Sequence, residues 1–216
     1  MLRLATPILA LYKPPLNVVL GGMSDADLLS TFSMPKASKI TGRSSSITNA
    51  FVNAIVPKVL PNSEQIESAL KTLRISSNMV VCCYCGDTST EWDHLRPVVR
   101  DKKPTGYISE IANLVPACGK CNQSKGNKDW EVWMRSAAKL SPTSRGIQDI
   151  EERIEALRNY EAKFTPTIVD FESLVPAQLW SEHWKNHSEI IDAMTRAQEN
   201  AARITEYLSR DPEDRS

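Results

Sequence analysis

The stretches Cys82-Cys83-Tyr84-Cys85 and Cys118-Gly119-Lys120-Cys121 decide how this chain is read. Each holds a C-x-x-C pair. Such a turn points two thiolates at one centre while nearby backbone N–H groups offset their charge. Two of them supply the closed tetrahedral site that a structural zinc ion prefers. The alternative is a pair of disulfides or redox motifs. A reducing, cytoplasmic compartment is expected, which favours the metal. Cys83-x-Cys85 can also bite a metal, but the register of the second pair selects Cys82, Cys85, Cys118 and Cys121. Cys83 is then a small buried apolar residue. With all four positions filled, the zinc is expected to be structural.

Around this centre lie 216 residues with 41% hydrophobic and 24% charged side chains, a globular composition able to bury a core. No apolar run reaches the roughly 18 to 20 residues that span a bilayer. The start, Met1 to Tyr12, mimics a signal peptide but is broken by Pro7, and is read as mature chain. The formal net charge of zero is an average. Residues 1–80 carry eight basic against four acidic groups, residues 81–145 ten against seven, and residues 146–216 eight against fifteen. The basic first two thirds permit a phosphate-bearing partner without demonstrating one.

The flanks read as helix. Residues 35–46 are Ser- and Lys-rich and read as a loop or a segment that orders on binding. Ile47, Phe51, Val52, Ile55 and Val56 then recur at helical spacing up to Pro57. A second helix starts at Asn62 or Ser63, either of which can cap it, with Ile66, Ala69, Leu70 and Leu73 as its stripe. Beyond Pro142, Ile147, Ile150, Ile154, Leu157 and Tyr160 mark an amphipathic helix of about four turns. A last helix is expected from about Gln178 to Ser209, with a disordered tail after Asp211. His183 and His187 share a helical face, but no third ligand accompanies them, so surface or packing roles are expected. The division is 1–78, an N-terminal helical and loop region; 79–140, the chemistry; and 141–216, a C-terminal helical region.

Between the cysteine pairs stand Asp93-His94, a Gly-containing loop from Asp101 to Glu110, and Asn113. Asn122 follows the second pair and opens a helix carrying Lys125, Trp130, Trp133 and Met134. In an extended strand, Asp93 and His94 point to opposite faces unless a bend brings them together. The stretch from Cys82 to about Met134, a quarter of the chain, resembles the HNH (ββα-metal) nucleases. It looks like their zinc-stapled branch, which includes restriction endonucleases and phage junction-resolving endonucleases. Asp93-His94, Asn113 and Asn122 fall on that family's D-H, middle-Asn and final His-or-Asn positions. The final position is Asn here rather than the more frequent His.

The resemblance implies an α+β, mostly helical fold: a central ββα-metal motif with structural zinc, flanked by helices. It also implies a metal-dependent DNA endonuclease leaving 5′-phosphate and 3′-hydroxyl ends. His94 would take the proton from water, and Asp93 and Asn122 would bind one Mg²⁺ or Mn²⁺. Asn113 would brace the loop and orient His94 through its backbone carbonyl. Lys125, one helical turn beyond Asn122, would touch a phosphate of the nucleic acid, unless it is simply solvated. A restriction-type or phage-defence nuclease acting on double-stranded DNA is expected, as a homodimer formed through the Ile stripes after Gly146. A nicking or homing nuclease, a nuclease subunit with a partner, and a non-catalytic zinc-stapled binding module remain the alternatives.

Overall fold

In the computed structural model, residues 24–210 are described. The readings of Met1 to Tyr12 and of the tail after Asp211 lie outside them. The chain forms two compact units, dividing after Ser38. In the first, Ser24 and Asp27 cap helix α1 (Asp25–Thr31) reciprocally.

The second unit begins with a 3-10 turn (Ile40–Arg43) running into α2 (Ser44–Ile55). Ser44–Ser46, expected in the loop, therefore form the first turn of a helix. No apolar residue marks that turn, so hydrophobic periodicity starts one turn late. Helix α3 (Ser63–Thr72) is capped by Asn62, whose side chain accepts from Gln65 N–H at 2.9 Å.

The centre is a two-stranded antiparallel ribbon, β1 (Glu91–His94) against β4 (Leu114–Ala117), with Asp93 opposite Val115. The long connection between them carries a small hairpin, β2 (Val99–Arg100) and β3 (Lys103–Pro104). A 3-10 turn at Ile111–Asn113 then enters β4. The single helix expected from Asn122 onward is instead two, α4 (Gly119–Lys125) and α5 (Trp130–Arg135). Gly126 ends α4 with φ 53° and ψ −124°, a backbone open to glycine alone. Helix α4 also begins three residues before Asn122, with Cys118 in the capping position.

Helices α6 (Ile150–Lys163), the short α7 (Phe171–Leu174) and α8 (Ala177–Ser209) complete the chain. Among the described residues, no helix is long and apolar enough to cross a membrane. The larger core gathers the cysteines, Trp130, Trp133 and Met134 with Leu70 of α3 and Ile154, Leu157 and Tyr160 of α6. A second core joins Val52 and Val56 of α2 to Val98, Val99, Ile108 and Phe171. Both cores draw on residues from all three expected segments. The stripe of α6 is spent inside the chain, which corrects the expectation that it is free for a dimer. On α8, Ile190 and Ile204 remain exposed.

His183 and His187 pack on Phe51, each with ring centroids 5.1 Å from it. His187 Nε2 lies 2.9 Å from Thr48 Oγ1, so the pair fastens α8 to α2.

Tyr160 pins α6 to the ribbon: its buried hydroxyl donates to the carbonyls of Ile111 and Leu114, on either side of Asn113. Replacing it by Phe leaves two buried carbonyls short of a donor. Tyr160→Phe is expected to lower unfolding free energy by about 1–3 kcal/mol in urea denaturation; an unchanged midpoint would contradict the pin.

Candidate active site and metal centre

The four cysteines of the two pairs converge. Cys82, Cys85, Cys118 and Cys121 are buried, and their Sγ atoms lie within 4.8 Å of one another. Cys85 Sγ and Cys118 Sγ are 3.7 Å apart. That is far beyond the about 2.05 Å of a disulfide. It matches the spacing of about 3.8 Å on a tetrahedron with metal–sulfur bonds of about 2.3 Å. The donor set therefore fits a structural metal such as zinc. Cys83 is buried outside this group and donates its backbone N–H to Pro116 of β4 at 2.9 Å, docking the first pair on the ribbon.

Ionising these thiols in one pocket requires a cation. Contact with Cys121 lowers the Cys82 thiol, but the Cys85 contact and burial raise it further, to about 12. Arg145 supplies a permanent positive charge nearby, with Nη1 3.4 Å from Cys121 Sγ and Nη2 2.7 Å from Asp87. Arg153, held by Asp149, donates to the Cys82 carbonyl at 3.3 Å.

The staple fixes a cleft of about 380 Å³ on the ribbon, lined by Asp93, His94 and Asn122. Asp93 and His94 share it because β1 ends at His94 and the chain bends through Leu95 and Arg96. Asn113 clamps that bend. Its buried side chain accepts from Arg96 N–H at 2.9 Å and donates to Arg96 O at 3.0 Å. Its carbonyl accepts from Leu95 N–H at 2.9 Å. Asn113 thus acts on the two residues after His94 rather than on the imidazole.

The imidazole is held by Ser109, whose Oγ is 2.8 Å from His94 Nε2. Ser109 is itself fastened by backbone bonds to Pro57 O at 3.0 Å and from Val59 N–H at 2.8 Å. Sequence reasoning left Ser109 in an unassigned loop. No local motif signals a hydroxyl that meets a histidine 15 positions away. Burial, with the Lys125 ammonium second, pulls the His94 imidazole down to about 4, so the ring is neutral near pH 7.

Asp93 is buried. Tyr84 donates to its Oδ2 at 2.7 Å, and the Lys125 ammonium lies 3.0 Å from the same oxygen. Burial raises this carboxyl, and Lys125 and Tyr84 oppose the rise. Oδ1 has no hydrogen-bond partner among the described residues. The same holds for the side-chain amide of Asn122, the fourth residue of α4. One carboxylate oxygen and one amide oxygen facing a common cleft fit a hard divalent cation that completes its shell with water and phosphate.

Lys125 corrects the sequence reading. Its side chain is fully buried and donates to His94 O at 2.7 Å besides pairing with Asp93. Its position one helical turn after Asn122 is as expected, but α4 directs it under the ribbon rather than toward a phosphate. Lys125→Met leaves Asp93 as an uncompensated buried carboxylate. It is expected to cost about 3–5 kcal/mol of stability in chemical denaturation. The salt slope of nucleic-acid binding should stay the same; a fall of about one would mark a phosphate contact instead.

Comparison with known proteins agrees with this geometry. The family described as HNH endonuclease matches residues 82–128. The CRISPR-associated endonuclease Cas9 of Corynebacterium diphtheriae is 29% identical over 131 residues, covering 59% of this chain and 11% of that protein. No solved structure matches the chain. The matched residues run from the first cysteine of the staple to just past the end of α4, enclosing the whole ribbon, the cleft residues Asp93, His94 and Asn122, and the clamp Asn113. The chain therefore carries an HNH endonuclease domain, closed by a four-cysteine centre.

Proposed function

We propose that this chain is a metal-dependent DNA endonuclease that hydrolyses phosphodiester bonds to 5′-phosphate and 3′-hydroxyl ends. The observation that carries the reading is the meeting of Asp93, His94 and Asn122 in one cleft built on the stapled ribbon. With Nε2–H donating to Ser109, the lone pair of His94 Nδ1 is left to accept a proton from the attacking water. This tautomer is assigned by that role. Asn113 keeps the ring at its place by clamping the bend behind it.

Asp93 Oδ1 and the Asn122 amide oxygen would hold one Mg²⁺ or Mn²⁺ ion. When bound, the ion supplies positive charge against the phosphate and the departing 3′ oxygen. The Lys125 ammonium and the Tyr84 hydroxyl hold the far carboxylate oxygen of Asp93, so that its other oxygen faces the cleft. In the four-cysteine centre, Cys82, Cys85, Cys118 and Cys121 would fill every position of a zinc ion, leaving it none for water or substrate.

A restriction-type or phage-defence role accords with the likeness to a CRISPR-associated endonuclease. One cleft cuts one strand, so a double-strand break calls for two copies. Exposed Ile190 and Ile204 on α8 are the face a second copy would cover.

Incubating plasmid with purified protein and Mg²⁺ or Mn²⁺ is expected to give nicked and then linear DNA. His94→Ala should lower the rate by about 100-fold or more, and EDTA should abolish it. Equal cutting by His94→Ala, or cutting that survives EDTA, would overturn the mechanism. Metal analysis should find one zinc per chain in the native protein. Cys121→Ser should lose that zinc and unfold at lower denaturant, since binding energy at such a site is folding energy. Full stability without zinc would refute the structural role.

A further inference from the structure

The catalytic cleft has a second wall that lies outside the HNH segment. Ser45, Asn49 and Asn53 line it opposite Asp93, His94 and Asn122. Their spacing of four places them in one row along α2. Helix α2 is fixed there from two sides. Val52 and Val56 pack on Val98 and Val99, just past the catalytic bend, and Thr48 bonds His187 of α8.

Ser45 and Asn49 also line an adjoining cavity of about 330 Å³, together with Val99 and Asn127, which border both spaces. The adjoining cavity carries Lys102 and no carboxylate, so Asp93 is the one acid among the residues lining the two. The side chains of Ser45 and Asn49 are exposed and have no hydrogen-bond partner among the described residues. Asn53 spends its amide N–H on Asn49 O at 2.7 Å and keeps its oxygen.

A trough with hydroxyl and amide groups on one wall, a lysine at its far end and a single acid at the reaction centre suits a polyanionic strand. Neutral donors of this kind fix a nucleic-acid backbone by hydrogen bonds to phosphate and sugar oxygens. We infer that α2 is the substrate-binding wall of the nuclease: Ser45 and Asn49 hold the backbone of the strand being cut as it runs from the catalytic cleft toward Lys102. The inference rests on the endonuclease reading and adds residues that the HNH segment does not contain.

Paired substitutions in the first turn of α2 test it. Ser45 and Ser46 are adjacent, and an aspartate at either favours the helix N-terminus equally. Only Ser45 lines the trough. Binding is read by fluorescence anisotropy with a labelled duplex on the His94→Ala background, and cleavage on the otherwise native chain.

Ser45→Asp and Asn49→Asp are expected to raise both Kd and KM about tenfold, through repulsion of the phosphates. Their kcat should stay near that of the native chain. Ser46→Asp should bind and cut as the native chain does. The thermal midpoint of Ser45→Asp should not fall below that of Ser46→Asp, which separates repulsion from damage to the helix. Binding and cleavage by Ser45→Asp and Asn49→Asp that match Ser46→Asp would overturn the inference and leave the nuclease reading intact. Undiminished cutting by His94→Ala would instead sink the nuclease reading, and the inference with it.

Discussion

Four sulfurs held within 4.8 Å of one another, all buried, are the constraint on which the rest of this structure hangs. Cys82 and Cys85 precede the first ribbon strand, and Cys118 and Cys121 follow the second, so closing the centre draws the ribbon ends together. It also fixes the start of α4, because Cys118 stands at the position just before that helix and Cys121 lies within it. Asn122 comes next in α4, so its place at the cleft follows from the staple. The ribbon is too short to be stable alone. It is supported by α6, whose Tyr160 reaches the carbonyls bracketing Asn113, and a metal held by the four cysteines would add to that support.

Beneath the ribbon, α4 supplies the charge that makes the buried carboxylate of Asp93 tolerable. A buried Asp alone would be protonated and would not bind a cation. Lys125, from the last turn of α4, and Tyr84, from the first cysteine pair, both meet one oxygen of Asp93. The two elements that the staple joins are thus also the two that tune the acid. Lys125 further accepts its place by bonding the His94 carbonyl, so one buried ammonium touches both members of the Asp-His pair. The four-cysteine centre and the cleft are coupled through these few bonds rather than merely adjacent.

Much of this was legible in the sequence because it is local. The paired cysteines, Asp93-His94, and the stripes of α3, α6 and α8 are short-range patterns, though Ile147 falls before α6 begins at Ile150 and Cys121 lies inside α4. What was missed is non-local or polar. Ser109 meets His94 only after the chain has folded back, and its neighbours in sequence carry no signal of that. Lys125 reads as a phosphate contact or a solvated cation because charge alone does not say which side of a short helix is covered. Gly126 sits inside the stretch expected to be one helix, and its backbone conformation splits that helix in two. The first turn of α2 was hidden because serines carry no apolar rhythm.

The position of α2 follows from the same non-local packing, and it bears on how a small catalytic motif acquires a substrate. An HNH segment of this size has little surface to grip a long polyanion. Here the Val98–Val99 segment just past the catalytic bend is apolar and needs cover. Val52 and Val56 of α2 provide it. Ser45 and Asn49 precede Val52 and Val56 by about two helical turns each. Burying the valines therefore brings the polar pair onto the same side of α2, facing the cleft that Val98 and Val99 also line. The hydrophobic demand of the segment just past the histidine is thereby what brings a hydrogen-bonding wall to the same cleft.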